Sequence, residues 1–374
     1  MRDWQRYFIP MCLIKLIKNI QPESLYGSQA KYLILRETRD MGNSNIKGQR
    51  IRKKFTLLIF VGLSIISFFI SIENGAVNIR PGEIIDAVFF EKSTVNYQII
   101  WNVRLPRTIV AALVGTCLAL SGAILQGVMR NPLAGPDIIG VSSGAGLMTL
   151  IILILFPDFY YLAPAAAFIG AMAATLFIYF LAWKEGAAPA RLILAGVAVS
   201  SLLGAGTNTL MTFYPNKVAG VIGFMVGGLS STTWQQVNTI LPYAAAGIVL
   251  LLLIPNKLNV LIMGDEIATS LGLNVERTRF IFIAISSLLA GSAVSVVGLL
   301  GFVGLIVPHM TRLFIGSDYR YLLPAVIFTG STIVMICDTL SRMMFAPMEI
   351  PVGIIMSALG APFFLYLLRR KREY

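Results

Sequence analysis

In a chain this apolar the residues able to do chemistry are few. His309, in Ile306-Val307-Pro308-His309, is the only histidine. One imidazole with no second histidine or nearby cysteine is a poor metal site, so it reads as a hydrogen-bonded packing residue. Cys117 and Cys337 fall inside apolar runs and Cys12 near the start. With no paired spacing they support neither a disulfide framework nor a metal site, and the later two read as packing. The sequence contains no Walker A pattern, no H-E-x-x-H and no nucleophile elbow. It therefore offers no ATPase site of its own and no catalytic constellation, and no cofactor or metal is expected. Coupling to protons or sodium needs carboxylates within the membrane, and Asp338 is the one clear candidate. Arg342 stands four residues on, on the same helix face, so an internal ion pair is the simpler account. Asp137 lies near a helix start, where a carboxylate caps free amides.

The elements that carry these residues are membrane helices. The composition is 56% hydrophobic and only 13% charged, with mean hydropathy +0.77, against about 25% charged in soluble domains. The net charge of +12 can suggest nucleic acid. The basic residues instead cluster in the N-terminal tail and at helix ends, as in the positive-inside pattern, so no nucleic-acid partner is expected. Apolar blocks of membrane-crossing length fall at 55–73, 107–128, 137–156, 161–183, 190–213, 237–255, 278–297, 300–315, 321–341 and 351–368. That makes an all-α integral membrane protein of about ten transmembrane helices. Residues 216–235 are broken by Gly220, Gly223, Gly227 and Gly228 and suggest a short partial helix on the outer side.

Two domains are expected: an N-terminal cytoplasmic extension, 1–54, and a transmembrane domain, 55–374. Within the extension, residues 1–40 are expected to be non-essential or poorly ordered, since Met41-Gly42-Asn43-Ser44 resembles an ordinary start. Met11 to Ile20 can alternatively lie on the membrane as an amphipathic helix.

Arg50, Arg52, Lys53 and Lys54 precede the first span, and Arg369, Arg370, Lys371 and Arg372 follow the last. An even span count puts both termini on one side, and the charge rule makes it the cytoplasm. Arg130, Lys184, Arg191, Arg277, Arg279, Arg312 and Arg320 then also fall inside. Arg104, Arg107 and Arg342 fall outside at helix ends, and Arg80, Lys92 and Lys217 in outer loops. Snorkelling or headgroup contact accounts for any one arginine. Three at one outer edge suggest a docking surface for acidic residues of an external partner. On that view, replacing Arg104 and Arg107 by glutamate weakens docking and leaves folding alone. Spans 2–5 and 7–10 start in opposite directions, as inverted repeats do.

The longest cytoplasmic loop runs from Pro255 to Arg279. Asp265 can cap a short helix there, and Gly272 can end it in the left-handed conformation. Ile267, Ala268 and Leu271 share a small apolar face. Such a helix either lies on the headgroups or inserts into a soluble partner; with no motor in the chain, a separate ATPase fits the second.

These residues together resemble a known family, the FecCD-type permease subunits of type II ABC importers for iron-siderophores, haem and vitamin B12. The resemblance rests on Arg104-Leu105-Pro106-Arg107, Ser121-Gly122 with Gln126, Asn131-Pro132-Leu133-Ala134-x-Pro136 and Gly140-x-Ser142-x-Gly144-Ala145. It continues through Gly227-Gly228-Leu229 with Trp234, Gly264-Asp265-Glu266 to Leu271-Gly272, Gly301 to His309, and Pro351-Val352-Gly353 to Gly360-Ala361-Pro362. It implies the type II permease fold with inverted-repeat-like halves, in the plasma membrane. It also implies a cytoplasmic ABC ATPase, a second permease subunit (the same or a related chain) and an extracytoplasmic substrate-binding protein. Arg104, Arg107 and Arg342 would meet glutamates of that binding protein. Gly264, Asp265, Glu266, Ala268, Leu271 and Gly272 would form the ATPase coupling loop. Span 5 and the partial helix after it would line the pathway between permeases. The expected cargo is a ferric siderophore-type chelate, with vitamin B12 or haem as the alternative. An ion-coupled secondary transporter is the reading from a different class. The N-terminal extension departs from the family pattern.

Overall fold

The computed structural model describes residues 27–75, 95–183, 189–346 and 348–370. Residues 1–26, Arg80, Lys92, Lys184, Lys371 and Arg372 lie outside them. Contacts divide the chain into Met1–Lys54 and Phe55–Tyr374. In the first unit the described residues, from Gly27 on, are helical. The second carries the helices discussed below.

Helix α1 is Gly27–Glu73, α2 Leu105–Val128, α3 Val141–Leu150, α4 Ala163–Leu181 and α5 Pro189–Phe213. Then follow α6 Pro215–Val226, α7 Trp234–Leu253, α8 Pro255–Ile262, α9 Asp265–Ser270 and α10 Val275–Val297. The chain closes with α11 Val303–Ile315, α12 Tyr319–Met343 and α13 Val352–Arg370. Among the described residues, seven helices are long and apolar enough to cross a membrane, and three shorter apolar helices (141–155, 303–315, 352–366) complete the ten expected positions. The partial helix expected near 216–235 is α6.

Local sequence explains where these helices begin. Thr233 and Gln236 form a reciprocal capping box at the start of α7. Asn274 accepts from the Arg277 amide ahead of α10, and Asp318 from the Arg320 amide ahead of α12. Pro189, Pro215 and Pro255 open α5, α6 and α8, where a missing amide hydrogen costs nothing.

The core is built around α2, buried along nearly its whole length. It packs on α10, α11 and α12 at very close range. A Cβ at Gly122 would land on the Gly304 backbone of α11, and one at Gly115 on the Gly330 backbone of α12. Without a hydrophobic driving force between helices in lipid, such backbone approach and its dispersion contacts hold them together. Cys117 and Cys337 are free and buried in this packing, as expected.

Three irregular segments close the fold. The Gly228 amide donates to the Val297 carbonyl (2.9 Å), Leu299 to Phe224 (2.9 Å) and Gly353 to Gly227 (3.1 Å). Backbone that leaves helical form at membrane depth must find partners within the protein, and here the breaks satisfy one another. Phe302, between α10 and α11, has φ +67°, which a bulky residue rarely adopts. Its ring lies against Gly360 of α13, leaving no room for a Cβ.

Candidate functional site: the two ends of the central helix

At its N-terminal end α2 is continued upstream by Val95–Ile99 and a π-helical turn, Ile100–Arg104. Arg104, Arg107 and Arg342 come together here, but they turn inward, with 4%, 5% and 4% of their surface exposed. Arg104 donates to the Ile72 and Glu73 carbonyls, both at 2.7 Å. Arg342 donates to the Asn74 carbonyl (2.9 Å) and to the Ser71 carbonyl and hydroxyl (both 3.0 Å). These are the last carbonyls of α1, whose final turn carries no basic residue of its own. A helix C-terminus leaves such acceptors unsatisfied and partly negative, so cations from two other helices cap it. That gives Arg104 and Arg342 a structural use at this helix end. It also corrects the expectation that glutamates at Arg104 and Arg107 leave folding alone, since each change would remove buried hydrogen bonds.

Asp338 is the hub of the same cluster. Arg107 donates to it from Nε (3.1 Å to each oxygen) and from Nη2 (2.9 Å). Arg342 pairs with it at 3.1 Å, the internal ion pair expected from the spacing. Arg107 also reaches Glu349 at 2.8 Å. Two carboxylates thus face the guanidinium groups of Arg107 and Arg342, while Arg104 turns to the α1 carbonyls. A charge buried in membrane is tolerable when paired in this way.

At the other end of α2 lies the loop expected to couple to an ATPase. Gly264 has φ +111° and leads into α9, and Gly272 has φ +81° and ends it. The Gly272 amide donates to Thr269 and the Leu273 amide to Ala268, the paired bonds of a Schellman cap. Two expectations are corrected. Asp265 makes no capping bond; its carboxylate accepts from Arg279 (2.9 and 3.0 Å) and pairs with Arg130 (3.2 Å). Ala268 is fully buried, while Ile267 and Leu271, four apart, are 46% and 61% exposed. At this radius Ala268 fits under the helix, and the outward apolar face is Ile267 and Leu271 alone. Glu266 shares the first turn of α9 with Asp265.

Other expected sites resolve more quietly. Asp137 accepts from the Ser142 hydroxyl rather than capping amides. Both line a cavity of about 140 Å³ with Leu118, Pro136 and Phe302, which periodicity could not reveal. The His309 ring meets Phe363 edge-on at 6.3 Å. Among the described residues no group of three His, Cys, Asp or Glu could hold a metal ion.

Comparison with known proteins agrees with this architecture. Residues 63–370 match the model of the FecCD transport family. The chain belongs to that family. It is 39% identical over 319 residues to the Fe(3+)-citrate import system permease protein YfmE of Bacillus subtilis, covering 85% of this chain and 96% of the relative. To the cobalamin import system permease protein BtuC of Halobacterium salinarum it is 43% identical, over 72% of this chain and 73% of the relative. A hemin transport system permease protein, HmuU of Yersinia pestis, is 40% identical over 73% of this chain and 84% of its own length. Among solved structures, an inward-facing conformation of a metal-chelate type ABC transporter superposes with TM-score 0.76 at 28% identity, over 84% of this chain and 98% of that one. This FecCD-family chain is therefore a multi-pass ABC importer permease, a transport subunit.

Proposed function

We propose that this permease carries a ferric siderophore-type chelate inward across the plasma membrane, with both of its termini in the cytoplasm. A separate ABC ATPase drives it and an extracytoplasmic binding protein feeds it. The observation that carries this reading is α9, a short helix with an apolar face of Ile267 and Leu271 turned outward and its root held by buried charge. An exposed apolar pair on a rigid short helix suits a groove in a soluble partner. The Arg104–Arg107–Arg342 cluster marks the opposite end. There the three arginines are buried, so they shape the end of the helices that the binding protein meets and do not themselves offer their guanidinium groups to it. A second permease subunit, the same or a related chain, packs along α5 and α6, where Leu194, Val197, Leu202 and Phe213 of α5 and Ile222 of α6 are exposed. Residues 1–40 are not required for these roles.

Iron chelates are favoured because the iron-citrate relative matches over nearly its full length. Cobalamin or haem is the second reading, favoured by the higher identity of the cobalamin permease over a shorter stretch. The test is ATP-driven uptake into proteoliposomes holding the complete complex, with labelled ferric hydroxamate, ferric citrate, haem and cobalamin offered in parallel. Saturable uptake of a ferric chelate supports the proposal, and cobalamin or haem uptake alone replaces its substrate. Uptake without ATP that an ionophore abolishes would overturn the ABC reading in favour of ion coupling.

A further inference from the structure

The foot of α2 and the end of α9 close with the same backbone device. At α2 the Arg130 amide donates to the Gly127 carbonyl (3.2 Å) and the Asn131 amide to the Gln126 carbonyl (3.1 Å). This is the Schellman pattern seen at Gly272, and the residue at its left-handed position is Arg130, with φ +48°. Glycine is the usual occupant there because a Cβ is disfavoured in that conformation. A side chain held in a sparsely populated conformation invites the question of what it reaches.

Arg130 reaches the root of α9. Its Nη2 lies 3.2 Å from the Asp265 carboxylate, and its Nη1 lies close to where a Cβ of Gly264 would stand. The same carboxylate accepts from Arg279 of α10. Arg279 is 1% exposed and bonds Glu276 as well (3.0 Å). Asp265 is thus gripped twice. The Arg279 grip is part-buried, with the guanidinium itself enclosed, and joins α9 to the helix that follows it in the chain. The Arg130 grip is partly exposed and joins α9 to the buried central helix, whose far end carries Arg107.

We propose that Arg130 is a positioning residue that latches the α9 coupling helix to the foot of α2, so that displacement of α9 is transmitted to the core helix and not only to α10. This rests on the proposed role of α9 as the ATPase contact. Both states of such a switch require a connected element that each site biases, and the Arg130–Asp265 pair is a direct side-chain link from α9 to the cap of α2.

The test exploits the backbone. Arg130→Gly suits the left-handed position better than arginine does, so a merely structural residue would give an equal or higher Tm and unchanged transport. With the complete complex in proteoliposomes, uptake and ATP hydrolysis are measured together for wild type, Arg130→Gly, Arg130→Gln and Arg130→Lys. The latch predicts normal assembly and Tm for Arg130→Gly, with substrate moved per ATP reduced about fivefold or more. Arg130→Gln falls similarly, and Arg130→Lys recovers most of the ratio. Wild-type stoichiometry in Arg130→Gly or in Arg130→Gln overturns the latch. Failure of the underlying ABC reading is distinguishable, because the wild-type complex itself would then show no ATP-dependent uptake.

Discussion

Asp338 and Arg107 lie 231 residues apart in sequence and meet at 2.9 Å, bonding α12 to α2 inside the protein. Arg342, one turn further along α12, closes on the same carboxylate and passes its remaining donors to the end of α1. Three helices therefore meet at one buried charge cluster.

Removing the negative hub should be costly. Asp338→Asn leaves two buried guanidinium groups without their shared countercharge, and breaking a buried pair in this way destabilises by about 3–5 kcal/mol. The detergent-solubilised variant is expected to unfold at clearly lower temperature than wild type. A wild-type Tm would mean that Asp338 holds nothing together, and would return it to candidacy as a coupling carboxylate.

The arginine double variant gives a related but separate prediction. Arg104→Glu with Arg107→Glu inverts two buried charges, one against the α1 carbonyls and one against Asp338 and Glu349. The expected outcome is loss of monodisperse protein on size exclusion. A well-folded variant that merely fails to bind its external partner would show that the inward geometry is not essential to the fold.

Much of this fold was legible in sequence, for a definite reason. A bilayer demands long apolar runs and sorts basic residues to helix ends, so span positions follow from composition alone. The turn at Gly272 was legible because a helix stop with glycine has one favoured geometry. Side-chain direction was not. Arg104 and Arg342 stand at helix ends in sequence and structure alike, but their partners include backbone carbonyls at the end of α1, and carbonyls leave no mark in a sequence. Ala268, buried in the structure, shares an apolar face with Ile267 and Leu271 in sequence, because a six-residue helix is too short for periodicity to choose a face. Asp265 reads as a cap in sequence because local spacing does not reveal Arg130 or Arg279, which arrive from elsewhere in the chain.

The cap of α12 predicts a pH dependence. Hydrogen bonds from Arg320, and from Asn259 against some burial, hold the Asp318 carboxyl down at about 2. A carboxylate lowered on folding adds stability above its unfolded value of about 3.9 and loses it as pH falls toward the folded one. Wild type should thus exceed Asp318→Asn in Tm at pH 7, with the gap closing between about pH 4 and pH 2. A gap that is constant across that range would assign the effect to packing and not to the charge.

The glycine crossings make a steric prediction. Gly122→Ala places a methyl group on the Gly304 backbone, which cannot move without displacing α11. Overpacking of this kind costs about 1–3 kcal/mol, so Tm should fall. Gly220→Ala in α6 has open space around its Cα and replaces glycine by a better helix former. It should leave Tm equal or slightly raised, which makes it the control.

The last prediction concerns the outward face of α9. Leu271 is largely exposed, whereas its neighbour Ala268 is buried, so a change at each separates binding from folding. Leu271→Asp should leave the permease monodisperse and as stable as wild type, because little packing is lost. It should abolish co-purification of the ATPase, since a carboxylate on the apolar contact must be desolvated without a partner. Ala268→Asp should instead destabilise the permease, because the charge enters the core between α9 and the helices beneath it. If Leu271→Asp retains the ATPase and its ATP-driven uptake, α9 does not seat in the motor, and the search for the contact moves to other exposed turns at the Arg130 end of α2.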